Sequence, residues 1–286
     1  MQYERPNSMQ DATSLLADAG GKAFVLAGGT DLLVRMRGDA FEADLVVDIK
    51  SIDGLKEIRE SAEGFRIGAA VSCAELGRHD ALRGAWPGVV EAANLIGSAQ
   101  VQSRCTMTGN LCNASPAADS VPALVAAGAR AVIAGPDGTR TIPVEEVPVA
   151  PGKTSLGKAE IIEAILLDNR PPRSGDAYLR FIPRTEMDIA VVSAGVNVTL
   201  DEEGAVASAR VALGAVAPTV VLVDAAAEAI VGTRLDDAAL DRLAEACTAA
   251  CRPIDDKRGT VAFRQKVSGV LARRAARIAY ERAGGK

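Results

Sequence analysis

Two glycine-rich blocks carry the residues best suited to holding a ligand. The first is Ala27-Gly28-Gly29-Thr30-Asp31; the second, Thr106-Met107-Thr108-Gly109-Asn110, runs on through Leu111-Cys112-Asn113-Ala114-Ser115-Pro116-Ala117-Ala118-Asp119. Glycine leaves the neighbouring backbone N–H groups unhindered. Thr30, Thr106, Thr108 and Ser115 add hydroxyls, Asp31 and Asp119 carboxylates, and Asn110 an amide. That equipment suits a nucleotide diphosphate better than it suits a catalytic nucleophile. Two such blocks in one chain predict a large ligand bound along its length.

Other chemistry is thinly supplied. His79 is the only histidine, so a Ser-His-Asp or Cys-His arrangement would have to use it, and no nucleophile elbow is present. A histidine-rich zinc site is excluded on the same count. We read His79 as a surface or capping residue at the end of a short helix. The five cysteines, Cys73, Cys105, Cys112, Cys247 and Cys251, lack the spacing of an iron–sulfur ligand set and read as buried thiols. Neither the G-x-G-x-x-G fingerprint nor a phosphate-binding G-x-x-x-x-G-K-[ST] loop occurs. A chain without the usual bond-breaking groups points to a cofactor.

The elements that must position these blocks are legible in outline. Ser8 caps a helix ended by Gly20-Gly21. A short strand over 23–26, the Gly28-Gly29 turn, a helix opening at Thr30 or Asp31 and a strand over 44–49 complete a first α/β unit. Strand, glycine turn and helix N-terminus make a ready anion site, because the first helical N–H groups lack internal partners. Residues 51–170 read as a second α/β unit. It has strands over 65–70, 129–134 and 161–167 and helices over 72–78 and 87–95. An extended segment over 98–105 leads into the second block as a loop. Ser115-Pro116 reads as an N-cap followed by proline at the first helical position, which puts Asp119 in that helix's first turns. Residues 169–175 are a proline-rich linker. Beyond it come three antiparallel strands (177–182, 190–200, 205–216) and then helices over 219–231, 236–251 and 259–283, which is an α+β order.

Composition sets the frame. The 286 residues are 48% hydrophobic and 24% charged with net charge −5, an ordinary globular profile with no nucleic-acid footprint. No apolar run reaches the length of a membrane span. The N-terminus lacks a signal-peptide layout, so the expected location is cytoplasmic.

On the residues quoted, the chain resembles the FAD-binding medium subunit of molybdenum hydroxylases, the family of aerobic carbon monoxide dehydrogenase and xanthine dehydrogenase. Both glycine blocks carry the resemblance, with Tyr178-Leu179-Arg180-Phe181 and Met187-Asp188-Ile189-Ala190 resembling the opening of the family's C-terminal domain. Thr108 stands where many members have glycine and must therefore keep an ordinary φ. The cysteine-bearing insertion of the benzoyl-CoA-reducing branch is missing.

The resemblance implies an α+β protein. A two-subdomain FAD-binding fold of the vanillyl-alcohol-oxidase type would fill residues 1–172, divided near 54/55. An α+β C-terminal flavoprotein domain would fill 173–286. It implies noncovalent FAD, with Val25, Leu26, Ala27, Gly28, Gly29, Thr30, Asp31 and Leu32 wrapping the pyrophosphate and Thr106, Gly109 and Asn110 binding it from the other side. Ser115 joins the hydrogen-bonding set, and Asp119 would accept from cofactor hydroxyls. Ile96 would lie beside the adenine and Ile162 near the flavin. Tyr178 would lie against the isoalloxazine, and Arg180 sits where members have lysine. The implied partners are a molybdopterin-binding large subunit and a [2Fe–2S] small subunit, in a dimer of heterotrimers. Within it, this chain passes electrons to NAD⁺, a quinone or O₂. The alternatives are a non-enzymatic nucleotide-binding module and a self-sufficient flavin oxidase.

Overall fold

The computed structural model describes residues 1–38 and 41–285. In the first unit, Ser8 accepts a hydrogen bond from the Asp11 N–H at 3.1 Å and so starts helix α1 (Met9–Asp18). Strands β1 (Gln2–Glu4), β2 (Ala23–Leu26) and β3 (Leu45–Asp48) form a parallel sheet in the order β1-β3-β2. Helix α2 (Leu32–Arg37) connects β2 to β3. Ala12 and Leu16 of α1 pack against Leu45, Val47 and Ile49. All three residues of β1 are exposed, so this strand carries no apolar signal and is recruited by its backbone pairing with β3.

The second unit, read as α/β over 51–170, keeps the expected order of strand, helices and strands but adds further elements. Strands β4 (Ile58–Ser61) and β5 (Gly64–Gly68) precede an unbroken run of helices. These are α3 (Cys73–Arg78), α4 (Asp80–Ala85), α5 (Pro87–Ala93), α6 (Ala99–Gln102), α7 (Met107–Cys112) and α8 (Ser120–Ala126). Strands then return as β6 (Arg130–Gly135), β7 (Gly138–Pro143), the small pair β8 (Pro148–Ala150) and β9 (Lys153–Thr154), and β10 (Ile161–Asp168). The main sheet, β4-β5-β10-β6-β7, is antiparallel throughout. Because its helices are segregated from its strands, this unit too is α+β.

Three local expectations change. The segment 98–105, read as extended, contains the single turn α6, where the Gln102 side chain donates to the Asn94 carbonyl. The second block, read as a loop, is mostly the helix α7, capped by Thr106, whose Oγ1 accepts from the Gly109 N–H at 2.9 Å. The helix expected to open at Pro116 begins at Ser120. Ser115 Oγ closes a local turn by accepting from the Ala117 N–H, and Asp119 is left at the N-cap.

The last unit is an antiparallel sheet of β11 (Ser174–Phe181), β12 (Val192–Leu200), β13 (Val206–Gly214) and β14 (Val221–Leu222). Helices α9 (Asp224–Glu228), α10 (Asp237–Ala250) and α11 (Val261–Arg282) follow. The helix read over 219–231 yields its first residues to β14, since Val221 and Leu222 pair with Leu213 and Ala212 of β13 in a valine-rich stretch that favours a strand. Strand β11 begins at Ser174, so the linker reading gives up its last two residues. One face of the sheet carries α10 and α11; against the other lies α8, where Pro122 reaches the backbone of Gly195. Among the described residues no helix is long and apolar enough to cross a membrane.

Candidate functional site

The first block takes its shape from what surrounds it. Lys50 donates to the Ala27 carbonyl at 3.1 Å and pairs with Asp48 at 2.7 Å, fixing the end of the parallel sheet where the chain turns. Gly29 has φ +81, a conformation that side chains resist. Gly28 lies against Arg104 and Cys105: a Cβ there would fall 2.9 Å from Cys105 Cα and closer still to the Arg104 carbonyl oxygen. The first block is therefore in backbone contact with the segment that leads into the second, and Asn113 clips the two blocks together by donating to Asp31 Oδ1 at 3.1 Å.

The N–H groups of Gly28, Gly29, Thr30, Asp31 and Leu32 have no partner among the described residues, and neither do those of Met107 and Thr108. Donors at helix N-termini lack internal partners and are met by solvent or by a ligand. Gly28 to Leu32 from the first set and Thr108 from the second border one cavity of about 1020 Å³, part of it open to solvent. Its other wall is apolar, built from Phe24, Val25, Ile49, Ile96, Leu156, Ile161 and Ile162. Unpaired donors converging from two sides suit a diphosphate, and the apolar wall suits the flat rings attached to it. The residues present fit FAD.

The charges around the cavity are mixed. Burial pushes the Asp31 carboxyl upward, against the opposing pull of Arg35. Glu160 is held by Arg140 at 2.7 and 2.8 Å and by the Gly157 N–H, which bring its pKa down from 4.5 to about 2 against the effect of burial. A depressed carboxylate stabilises the fold fully above its ordinary value and loses that contribution as pH falls through the depressed one. We expect Glu160→Gln to be less stable than the parent at neutral pH. The gap should close as pH falls from about 4.5 toward 2, as followed by urea denaturation; a gap constant across that window would refute the ion pair's contribution.

Of the residues expected in the site, Val25, Ala27, Gly28, Gly29, Thr30, Asp31, Leu32, Ile96, Thr106, Gly109, Asn110 and Ile162 line the cavity. Five do not. Leu26 turns into the small core with Ala43 and Val46, and Ser115 is occupied by its own turn. Asp119, Tyr178 and Arg180 form a buried cluster between the domains. Arg180 donates to Asp119 Oδ2 at 2.8 Å, and the Tyr178 hydroxyl to Oδ1 at 3.3 Å. Burial raises the Asp119 carboxyl, with Arg180 and Tyr178 working against it. The cluster reaches the cavity indirectly, since Ser120, next in the chain, donates through N–H and hydroxyl to the Asn110 side chain at 3.1 and 2.7 Å.

Some of the wall went unrecognised in the sequence. Leu156 and Glu160 come from a connection without any motif, whereas Arg35 follows Asp31 at helical spacing and was detectable. His79 ends α3 and caps α4, its Nδ1 accepting from the Leu82 N–H at 3.2 Å. Cys105 borders the cavity; Cys73, Cys105, Cys247 and Cys251 are buried and Cys112 half-buried.

Comparison with known proteins bears on the same residues. Residues 1–168 match the family model described as the FAD binding domain in molybdopterin dehydrogenase. Residues 177–279 match the CO dehydrogenase flavoprotein C-terminal domain. The chain is 34% identical over 284 residues to the carbon monoxide dehydrogenase medium chain of Afipia carboxidovorans, covering 98% of this chain and 97% of that one. It is 29% identical to the xanthine dehydrogenase FAD-binding subunit of Escherichia coli, with 99% and 97% covered. A chain of the carbon monoxide dehydrogenase structure from Hydrogenophaga pseudoflava superposes with TM-score 0.94 at 30% identity, over 99% of this chain and 98% of that one. With an FAD-binding domain and a flavoprotein C-terminal domain in this order, the chain belongs to the family of FAD-binding medium subunits of molybdenum hydroxylases.

Proposed function

We propose that this chain is the FAD-carrying electron-transfer subunit of a molybdopterin-dependent hydroxylase. The observation that carries the reading is the convergence of two sets of unpaired backbone N–H groups on one cavity with an apolar wall. Val25 to Leu32 would hold the pyrophosphate from one side and Thr106, Gly109 and Asn110 from the other, with Ile96 toward the adenine and Ile162 toward the flavin. Bound FAD supplies a carrier that takes up electrons singly or in pairs. The chain's own residues position it and keep water from its apolar rings. Asp119, Tyr178 and Arg180 hold the two domains together behind the site. The oxidised substrate would bind elsewhere, on a molybdopterin-binding large subunit. Electrons would arrive from a [2Fe–2S] small subunit, in a dimer of heterotrimers, and leave to an external acceptor.

Two measurements check this reading. Acid precipitation is expected to release all of the yellow chromophore, because the backbone donors supply the binding and the only histidine, His79, does not line the cavity; flavin retained in the pellet would refute noncovalent binding. Purification from the native source is expected to bring two further chains together with molybdenum and iron. A colourless protein, or a monomer that oxidises a small molecule at full rate without either metal, would overturn the assignment.

A further inference from the structure

A second cavity lies at the domain junction, with about 1000 Å³ of empty space open to solvent. Four arginines line it: Arg83 from α4, Arg170 and Arg173 from the connection between the domains, and Arg282 from the end of α11. Among the described residues no carboxylate lines this cavity, in a chain whose net charge is −5. The acids that meet these arginines do so from outside the lining: Asp80 on Arg83, Asp176 on Arg170 and Glu91 on Arg282.

Two of the guanidinium groups are fixed in place. Arg170 donates from Nη1 to the Ala85 carbonyl at 2.6 Å and to Asp176 at 2.8 Å, and from Nη2 to Asn197 at 3.1 Å. It also lies 4.4 Å above the Trp86 ring. Its side chain is only 10% exposed, yet its Nε has no hydrogen-bond partner among the described residues. Arg282 is tied through Nη1 to the Asp176 carbonyl at 2.8 Å and to Glu91 at 3.0 Å. Arg173 makes no ion pair among the described residues and is exposed.

We propose that this arginine-lined cavity is a binding site for a small, multiply charged oxyanion of the phosphate type. Planar guanidinium groups bind such oxygens in pairs, and groups already held by the fold lose little freedom in doing so. The site is distinct from the one between the glycine blocks, because no residue lines both cavities.

The test is calorimetric titration of the full chain with inorganic pyrophosphate, in the presence of saturating FAD so that the first site is filled. One binding site is expected, with affinity falling as sodium chloride is raised. The variant carrying Arg83→Gln and Arg173→Gln is expected to bind at least about tenfold more weakly. Both side chains are exposed, so its flavin spectrum and circular dichroism should match the parent's. No binding at millimolar pyrophosphate, or equal affinity in the variant, would overturn the proposal. Binding by the free chain that vanishes in the assembled complex would also overturn it, by giving the cavity to an acidic segment of a partner.

Discussion

Asp119→Ala is expected to destabilise the chain by about 3–5 kcal/mol, the usual cost of removing one member of a buried ion pair. Arg180 is only 6% exposed on its side chain and Asp119 12%, so water does little to screen the guanidinium left behind. Tyr178, 2% exposed, would lose the acceptor of its hydroxyl in the same step. The double variant Asp119→Ala, Arg180→Met should recover most of that loss, because it leaves no orphaned charge. Urea denaturation of the four proteins of the cycle measures the coupling. A loss below about 1 kcal/mol for the single variant would place the pair among exposed salt bridges and refute the argument. FAD affinity should also drop in the single variant, because Ser120, next to Asp119, holds the Asn110 side chain at the cavity.

That cluster also shows contacts that the sequence leaves unannounced. Asp119 stands in a block dense with hydrogen-bonding residues, and a carboxylate there reads as a ligand to the cofactor. Its partners lie 59 and 61 residues further on, in a different domain, and no local pattern announces them. Signals that act within one turn were legible. Ser8 and Ser72 cap their helices, the Ser72–Glu75 capping box is complete, and the valine-rich segments became β3, β12 and β13. Elements set by distant pairing were not. Strand β1 is exposed at every residue, β14 needs β13 beside it, and the α3–α8 run hides its antiparallel sheet because β5 and β10 pair across about a hundred residues. The glycine blocks lie between these cases. Their composition marked the site, while the fact that the second is a capped helix and not a loop depended on Thr106 reaching the Gly109 N–H.

Gly28→Val is expected to abolish FAD retention while leaving the chain folded. Gly28 is not required by its own φ, unlike Gly29. It is required by contact: a Cβ would stand 2.9 Å from Cys105 Cα and nearer still to the Arg104 carbonyl, both backbone atoms of the segment that leads into the second block. Backbone cannot swing aside as a flexible side chain can, so the first block must lift away from the second. The two sets of unpaired N–H groups would then no longer converge on one diphosphate. A misplacement of this kind should weaken FAD binding at least about a hundredfold, or about 2.7 kcal/mol. The overpacking itself costs the fold roughly 1–3 kcal/mol, which a protein of ordinary stability survives. Gly109 makes the contrast. It lies within α7 without a positive φ, and the nearest atom to an added Cβ is Thr106 Oγ1 at 3.0 Å. Gly109→Ala should therefore keep FAD within about tenfold of the parent, with helix propensity gaining up to about 1 kcal/mol. His79→Ala, which removes the cap on α4 and an edge contact with the Phe65 ring, should leave FAD binding unchanged. Flavin absorbance after gel filtration, with circular dichroism as the folding control, separates the three variants. Wild-type FAD retention by Gly28→Val would mean that the contact between the blocks does not build the site.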